Sequence, residues 1–220
     1  MANIKNNSAT QETRRRLLDA AGQVFADHGF HTATIKQITD RAGASLAAVN
    51  YHFSDKAELY AAVLRRVVED VAQIVPPDEL LSGSAANRLR QFIRYFCGNM
   101  FGLTKPAWSQ MVMARELAEP TAALQPLFDT VTEPLNEKLS SLIAELTGLS
   151  PDDEVVGMAA ASVIGQCVYY MRHKSLIGRM HSQLSDRPDA EVVARHIADF
   201  SLAGIRKLRG KVAKRRVSRP

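Results

Sequence analysis

Apolar residues recur along the chain at spacings of three and four, and no segment alternates apolar and polar residues long enough to make a strand. The pattern predicts an all-α protein. Leu17, Leu18, Ala21, Val24 and Phe25 make one face of a first helix that begins after Thr10, with Gly29 placed to end it. Thr34 and Gln37, three apart, form the signature of a capping box; it opens a second helix that turns Ile35, Ile38 and Ala42 inward. Gly43 breaks that helix, and Ser45 caps a short third one running to about Phe53. Asp55 and Glu58 can form the next cap. The fourth helix carries Leu59, Val63, Val67, Val71 and Ile74 until Pro76 and Pro77 stop it. Residues 76–84 read as a linker. Beyond it, helices are predicted over 85–103, 106–118, 121–148, 151–181 and 189–209, with Pro126 and Pro134 kinking or dividing the third. This gives a head at 10–57, a connecting helix at 58–75 and a helical domain at 85–208. A basic tail at 209–220 is expected to be disordered.

A chain of 220 residues, 46% of them hydrophobic, can bury a core in one large domain or two small ones. The net charge of +5 matters less than its placement. Arg14, Arg15 and Arg16 sit together near the start. Arg206, Lys207, Arg209, Lys211, Lys214, Arg215, Arg216 and Arg219 crowd the end, with no acid after Asp199. Such clusters fit a polyanion partner. Cys97 and Cys167 lie in apolar surroundings without metal-ligand spacing and read as reduced thiols of a cytoplasmic protein. The polar, then basic, start lacks the apolar stretch of a signal peptide. Val155 to Met171 is uncharged, but it is rich in Ala and Gly, contains Gln166 and is bracketed by Glu154 and Arg172. It reads as a buried or subunit-contact helix rather than a membrane span. No Gly-rich phosphate loop, HExxH motif or nucleophile elbow occurs, and His181, His196 and Asp199 are scattered. The expectation is therefore no enzyme, no cofactor and no metal.

The most informative stretch is the turn Gly43-Ala44-Ser45 between two short helices. Gly43 permits a positive φ, Ala44 is small enough to pack between the helices, and Ser45 leaves the next turn exposed. That turn, Leu46-Ala47-Ala48, has no charge, so a duplex can approach closely. Val49 and Phe53 anchor the helix, which leaves Asn50, Tyr51 and His52 near its other face to bond phosphates or base edges. The same polar face argues against a helical interaction protein without DNA binding.

Residues 13–60 resemble the DNA-binding domain of the TetR family of regulators. The likeness lies in the helix-one pattern, Gly29-Phe30, Thr34-Ile35, Ile38-Ala42-Gly43, Tyr51-His52-Phe53 and Lys56-Leu59, in order and spacing. Ala47 and Asn50 depart from the commoner Gly and Tyr. The resemblance implies a helix-turn-helix head whose third helix lies in the major groove. Leu46, Ala47 and Ala48 would touch bases, Tyr51 and His52 would grip phosphates, and Asn50 would reach a phosphate. Thr34, Ser45 and Lys56 would stand at helix amino-termini facing the backbone. Arg14 and Arg15, with Arg16, would follow the backbone or enter the minor groove.

The region from Ala85 to Leu208 resembles the ligand-binding and dimerisation domain of such regulators. Trp108 to Leu146 is similar to the carboxy-terminal domain of CecR-like members, which implies control of drug-efflux or antibiotic-sensitivity genes. A pocket for a small-molecule effector is expected among Phe92, Phe96, Trp108, Met111, Arg115, Phe128, Gln166, Tyr169, Tyr170 and His173. The small residues Ala159, Ala160, Ala161, Ser162 and Gly165 suit close contact with a second copy. The expected protein is thus a cytoplasmic, ligand-responsive homodimeric repressor of a palindromic double-stranded DNA operator, with no membrane partner.

Overall fold

The computed structural model describes residues 2–102, 106–181 and 189–217, all helices, turns and loops, with no strand among them. The helices are α1 (Ala2–Thr32), α2 (Ile35–Ala42), α3 (Leu46–His52), α4 (Lys56–Ala72), α5 (Ala85–Gly102), α6 (Ala107–Ala118), α7 (Gln125–Leu127), α8 (Glu133–Thr147), α9 (Glu154–Arg172), α10 (Lys174–Met180) and α11 (Ala190–Val217). They gather into two compact units. The first holds the described residues up to Val71 together with 106–130. The second holds 72–102 and the described residues from Val131 onward. The helix-turn-helix head lies in the first unit.

Local chemistry explains the head's boundaries. At Gly29 the backbone leaves the helix with φ 76° and ψ 168°, a conformation only glycine adopts cheaply. Thr34 Oγ1 accepts the Gln37 N–H at 3.2 Å while Gln37 Oε1 accepts the Thr34 N–H at 2.8 Å, the reciprocal box. Gly43 closes α2 in the left-handed region at φ 58°. Before α4, Asp55 Oδ1 accepts the Glu58 N–H and Glu58 Oε2 accepts the Ser54 N–H. Leu17, Ala21 and Phe25 of α1, Ile38 of α2, Val49 and Phe53 around α3, and Leu59 and Val63 of α4 form one core, joined by Val112 of α6.

In the second unit α5, α8, α9 and α11 pack together. Leu89, Phe92, Ile93 and Phe96 meet Leu139 and Ile143, Val156 and Val163, and Ile197 and Leu202 in the buried interior. Cys97 and Cys167 are both buried as free thiols there.

Several boundaries differ from the sequence expectation. Helix α1 starts at Ala2 rather than after Thr10, since no Gly or Pro interrupts the chain before Gly22 and helix propagation is easier than nucleation. Pro126 and Pro134 divide the 121–148 stretch into a 3-10 turn at Ala122–Leu124, α7, a π turn at Phe128–Thr132 and α8. The 151–181 stretch breaks at His173, where φ is −112° and ψ 26°. Helix α11 continues to Val217, through most of the segment expected as a disordered tail; no proline stands before Pro220 to stop it. Residues 218–220 lie outside the described residues. The largest difference concerns α6. The expected domain at 85–208 includes it, yet its residues belong to the first unit, where α6 packs along α1.

Candidate nucleic-acid interface

Helix α3 has two sides. Val49 and Phe53 are 1% and 3% exposed and fasten it to the head's core. On the other side Leu46 is 60% exposed and Tyr51 77%, with Ala47 and Asn50 also in the open and Ala48 half-buried. Ser45 Oγ accepts the Ala48 N–H at 3.2 Å and so starts the helix. This exposed side is free to meet another surface. His52 is half-buried, with its ring edge-on to Tyr51 at 4.9 Å.

The basic residues near this face are partly engaged within the chain. The Arg14 guanidinium sits 5.3 Å from the Phe53 ring, at the end of α3. Arg15 pairs with Glu12 at 2.7 Å and with Asp19 at 3.6 Å, both on its own helix. Arg16 remains exposed, and a β-carbon on Gly43 would stand 4.0 Å from its guanidinium. Lys56 differs most from the expectation. Its Nζ donates to the carbonyls of Ala33 and His31 at 3.0 and 3.2 Å and lies 4.9 Å from the Phe30 ring. It clamps the Gly29 break and the entry to α2, while the Thr34 cap beside it is exposed.

The expected effector residues divide between the units. Trp108, Met111, Arg115 and Phe128 lie in the first. There Trp108 packs on α1 at Gly22, and Arg115 Nε donates to the Ala26 carbonyl at 2.9 Å. Met111 and Phe128 are exposed at 52% and 47%. Phe92, Phe96, Gln166, Tyr169, Tyr170 and His173 lie in the second. Phe92 and Phe96 are buried, Gln166 Nε2 donates to Ser201 Oγ at 3.4 Å, and the Tyr169 and His173 rings lie tilted with centroids 5.0 Å apart.

Sequence reasoning missed one group in the first unit. Glu116 of α6 is 1% exposed. Its Oε2 accepts the Tyr60 hydroxyl at 2.6 Å, and its Oε1 accepts the Thr121 N–H at 2.7 Å and the Thr121 hydroxyl at 2.8 Å. Burial, reinforced by the Glu116 carboxylate, pushes the Tyr60 phenol well above its ordinary pKa. No local signal marks this pair, whose members stand 56 positions apart. A small cavity of about 140 Å³ lies beside it, lined in part by Gly29, Tyr60 and Arg115.

Known proteins match the sequence along the chain. Residues 17–63 match the family "Bacterial regulatory proteins, tetR family", and residues 85–205 match "HTH-type transcriptional dual regulator CecR, C-terminal domain". The dual regulator CecR of Shigella flexneri is 27% identical over 177 residues, covering 76% of this chain and 79% of that protein. The transcriptional activator FasR of Mycolicibacterium smegmatis is 32% identical over 161 residues, covering 72% of each. The crystal structure of a TetR-like regulator from a Rhodococcus species superposes with a TM-score of 0.58 at 21% identity, covering 88% of this chain and 95% of that one. These relatives are transcriptional regulators and not enzymes. The chain belongs to the TetR family of DNA-binding transcriptional regulators, with a carboxy-terminal domain of the CecR type.

Proposed function

We propose that the protein is a ligand-responsive homodimer that places two copies of α3 in successive major grooves of a palindromic operator. The observation that carries the reading is α3 itself, anchored by Val49 and Phe53 with Leu46, Ala47, Asn50 and Tyr51 turned to solvent. Leu46, Ala47 and Ala48 meet base edges, chiefly thymine methyls, and Tyr51, His52 and Asn50 hold the backbone. Thr34 and Ser45 bring capped helix starts to the phosphates, with Arg14, Arg15 and Arg16 as a basic flank. Lys56 acts from behind, by fixing the turn before α2.

Pairing of two copies is supported by α9 and α11. Helix α9 is long and apolar enough to cross a membrane, yet only 22% of its apolar stretch is buried within the chain. Met158, Ala161, Ser162, Gly165 and Tyr169 recur at helical spacing on its open side, as do Val192, His196 and Phe200 on α11. No atom lies within 4 Å of a β-carbon built at Gly157, Gly165 or Gly204. A small-residue apolar face of this kind suits a two-fold helix contact.

The effector acts by favouring a dimer whose heads fit the operator less well or better. Occupation of a promoter gives repression. Among the relatives CecR is a dual regulator and FasR an activator; for this chain the sign proposed is repression. Control of efflux or drug-sensitivity genes in the cytoplasm rests on the likeness of residues 85–205 to the CecR domain.

The test is a fluorescence-anisotropy titration against the gene's own upstream DNA and a scrambled duplex, across a salt series. Preference for the upstream fragment, lost in Tyr51→Ala, supports the reading. Equal binding to both duplexes, or a monomer at micromolar concentration in sedimentation, overturns it.

A further inference from the structure

Helix α6 is part of the DNA-reading unit, and its contacts show how. Arg115 Nε and Nη2 donate to carbonyls of α1 just ahead of the Gly29 break, Ala26 O at 2.9 Å and Asp27 O at 3.3 Å. The neighbouring Glu116 holds Tyr60 of α4 through a 2.6 Å bond in a buried setting. The Tyr60 ring packs 4.8 Å from Phe30, the Phe30 ring lies under the Lys56 ammonium, and Lys56 holds the carbonyl just before the Thr34 cap. A continuous set of contacts thus runs from α6 to the start of α2, and α2 carries the turn into α3. The chain also enters this unit from the second one ahead of α6 and returns to it after Thr130.

We infer that Glu116 is a positioning residue for DNA reading: its bond to Tyr60 fixes α4 and the α2–α3 turn in the operator-binding arrangement. This rests on the proposed role of α3. A carboxylate with three donors has one low-energy placement. Removing the Tyr60 hydroxyl leaves one lone pair of a buried charge without its donor and frees the pair to adopt other arrangements.

Trp108, the single tryptophan, lies on α6 against Gly22 and reports on the same helix. The experiment uses full-length protein and a duplex that the wild type selects from a random pool. Tyr60→Phe, Glu116→Gln and the double variant are titrated with that duplex, while Trp108 emission and the thermal midpoint are recorded. The expected result is a loss of specific affinity of roughly tenfold in each single variant, no further loss in the double, and unchanged binding to scrambled DNA. The wild type changes Trp108 emission on binding the duplex, and the variants lose that response while still folded. Wild-type affinity and emission response in a folded Tyr60→Phe overturn the inference, as does a loss that merely follows the unfolded fraction. Failure of the wild type to enrich any duplex overturns the reading of α3 instead.

Discussion

The indole of Trp108 rests directly on the backbone of Gly22, so that a β-carbon built at Gly22 would stand 2.5 Å from the ring. Only glycine lets α6 come this close to α1. The contact belongs to the same unit as the head, and it joins an apolar ring to the helix that carries Arg14 and Phe25.

Gly22→Ala is expected to destabilise the first unit by about 1–3 kcal/mol, because the added β-carbon would overlap the indole ring and one of the two helices must shift. Urea unfolding followed by Trp108 fluorescence in the parent and by circular dichroism in both measures the loss. Trp108→Leu placed in the Gly22→Ala background should recover part of it. A wild-type midpoint for Gly22→Ala would show that the contact is looser than its geometry.

Lys56→Ala separates clamping from phosphate binding. Each phosphate contact adds roughly 0.9 to the slope of log affinity against log salt. With its ammonium on the Ala33 and His31 carbonyls, Lys56 should change overall affinity and stability while leaving the slope as it was. A slope reduced by about one unit would place its charge on the DNA instead.

Tyr51→Ala should do the opposite. The side chain is 77% exposed, so its loss costs little stability, within about 0.5 kcal/mol by thermal unfolding. Specific affinity should fall at least tenfold in the anisotropy titration, by roughly the value of one or two backbone or base contacts.

Thr34→Ala removes the oxygen that accepts the Gln37 N–H, and it leaves Gln37 without the hydroxyl it binds. The expected cost is about 1 kcal/mol. Hydrogen exchange should locate the loss in α2, with the amides of Gln37 and its neighbours exchanging faster. Faster exchange confined to other helices would contradict the assignment of the cap.

Alkaline stability depends on Tyr60. Its pKa is raised on folding, so the folded chain keeps the phenol proton at a pH where the unfolded chain releases it. The stabilisation is fully present below the unfolded tyrosine value of about 10 and is lost as pH climbs above it. Urea midpoints taken from pH 8 to 11 should fall more steeply in the wild type than in Tyr60→Phe; parallel curves would remove Tyr60 from the account.

The head was readable because its signals are local. Thr34 and Gln37, Gly43, and Ser45 each act within a few residues, and the φ of Gly43 and both caps follow from side-chain chemistry at neighbouring positions. What escaped depends on distance along the chain. Glu116 on a mostly apolar helix gives no sign of Tyr60. Lys56 reads as a helix-start residue facing phosphate, and only the fold brings the Ala33 and His31 carbonyls to its ammonium. Helix α6 lies within the stretch read as the carboxy-terminal domain, yet it packs along α1, a long-range pairing that no local pattern announces. The effector residues, chosen by type alone, include core residues such as Phe96 beside exposed ones such as Met111.

The open side of α9 has a further consequence. A chain that leaves Met158, Tyr169 and, on α11, Phe200 in water is a poor solute on its own. Under the proposed pairing, the supply of paired heads rises and falls with the amount of chain present. In the dilute limit paired heads grow with the square of that amount. On that proposal gene dosage itself becomes an input to operator occupancy, one that operates before any effector is bound.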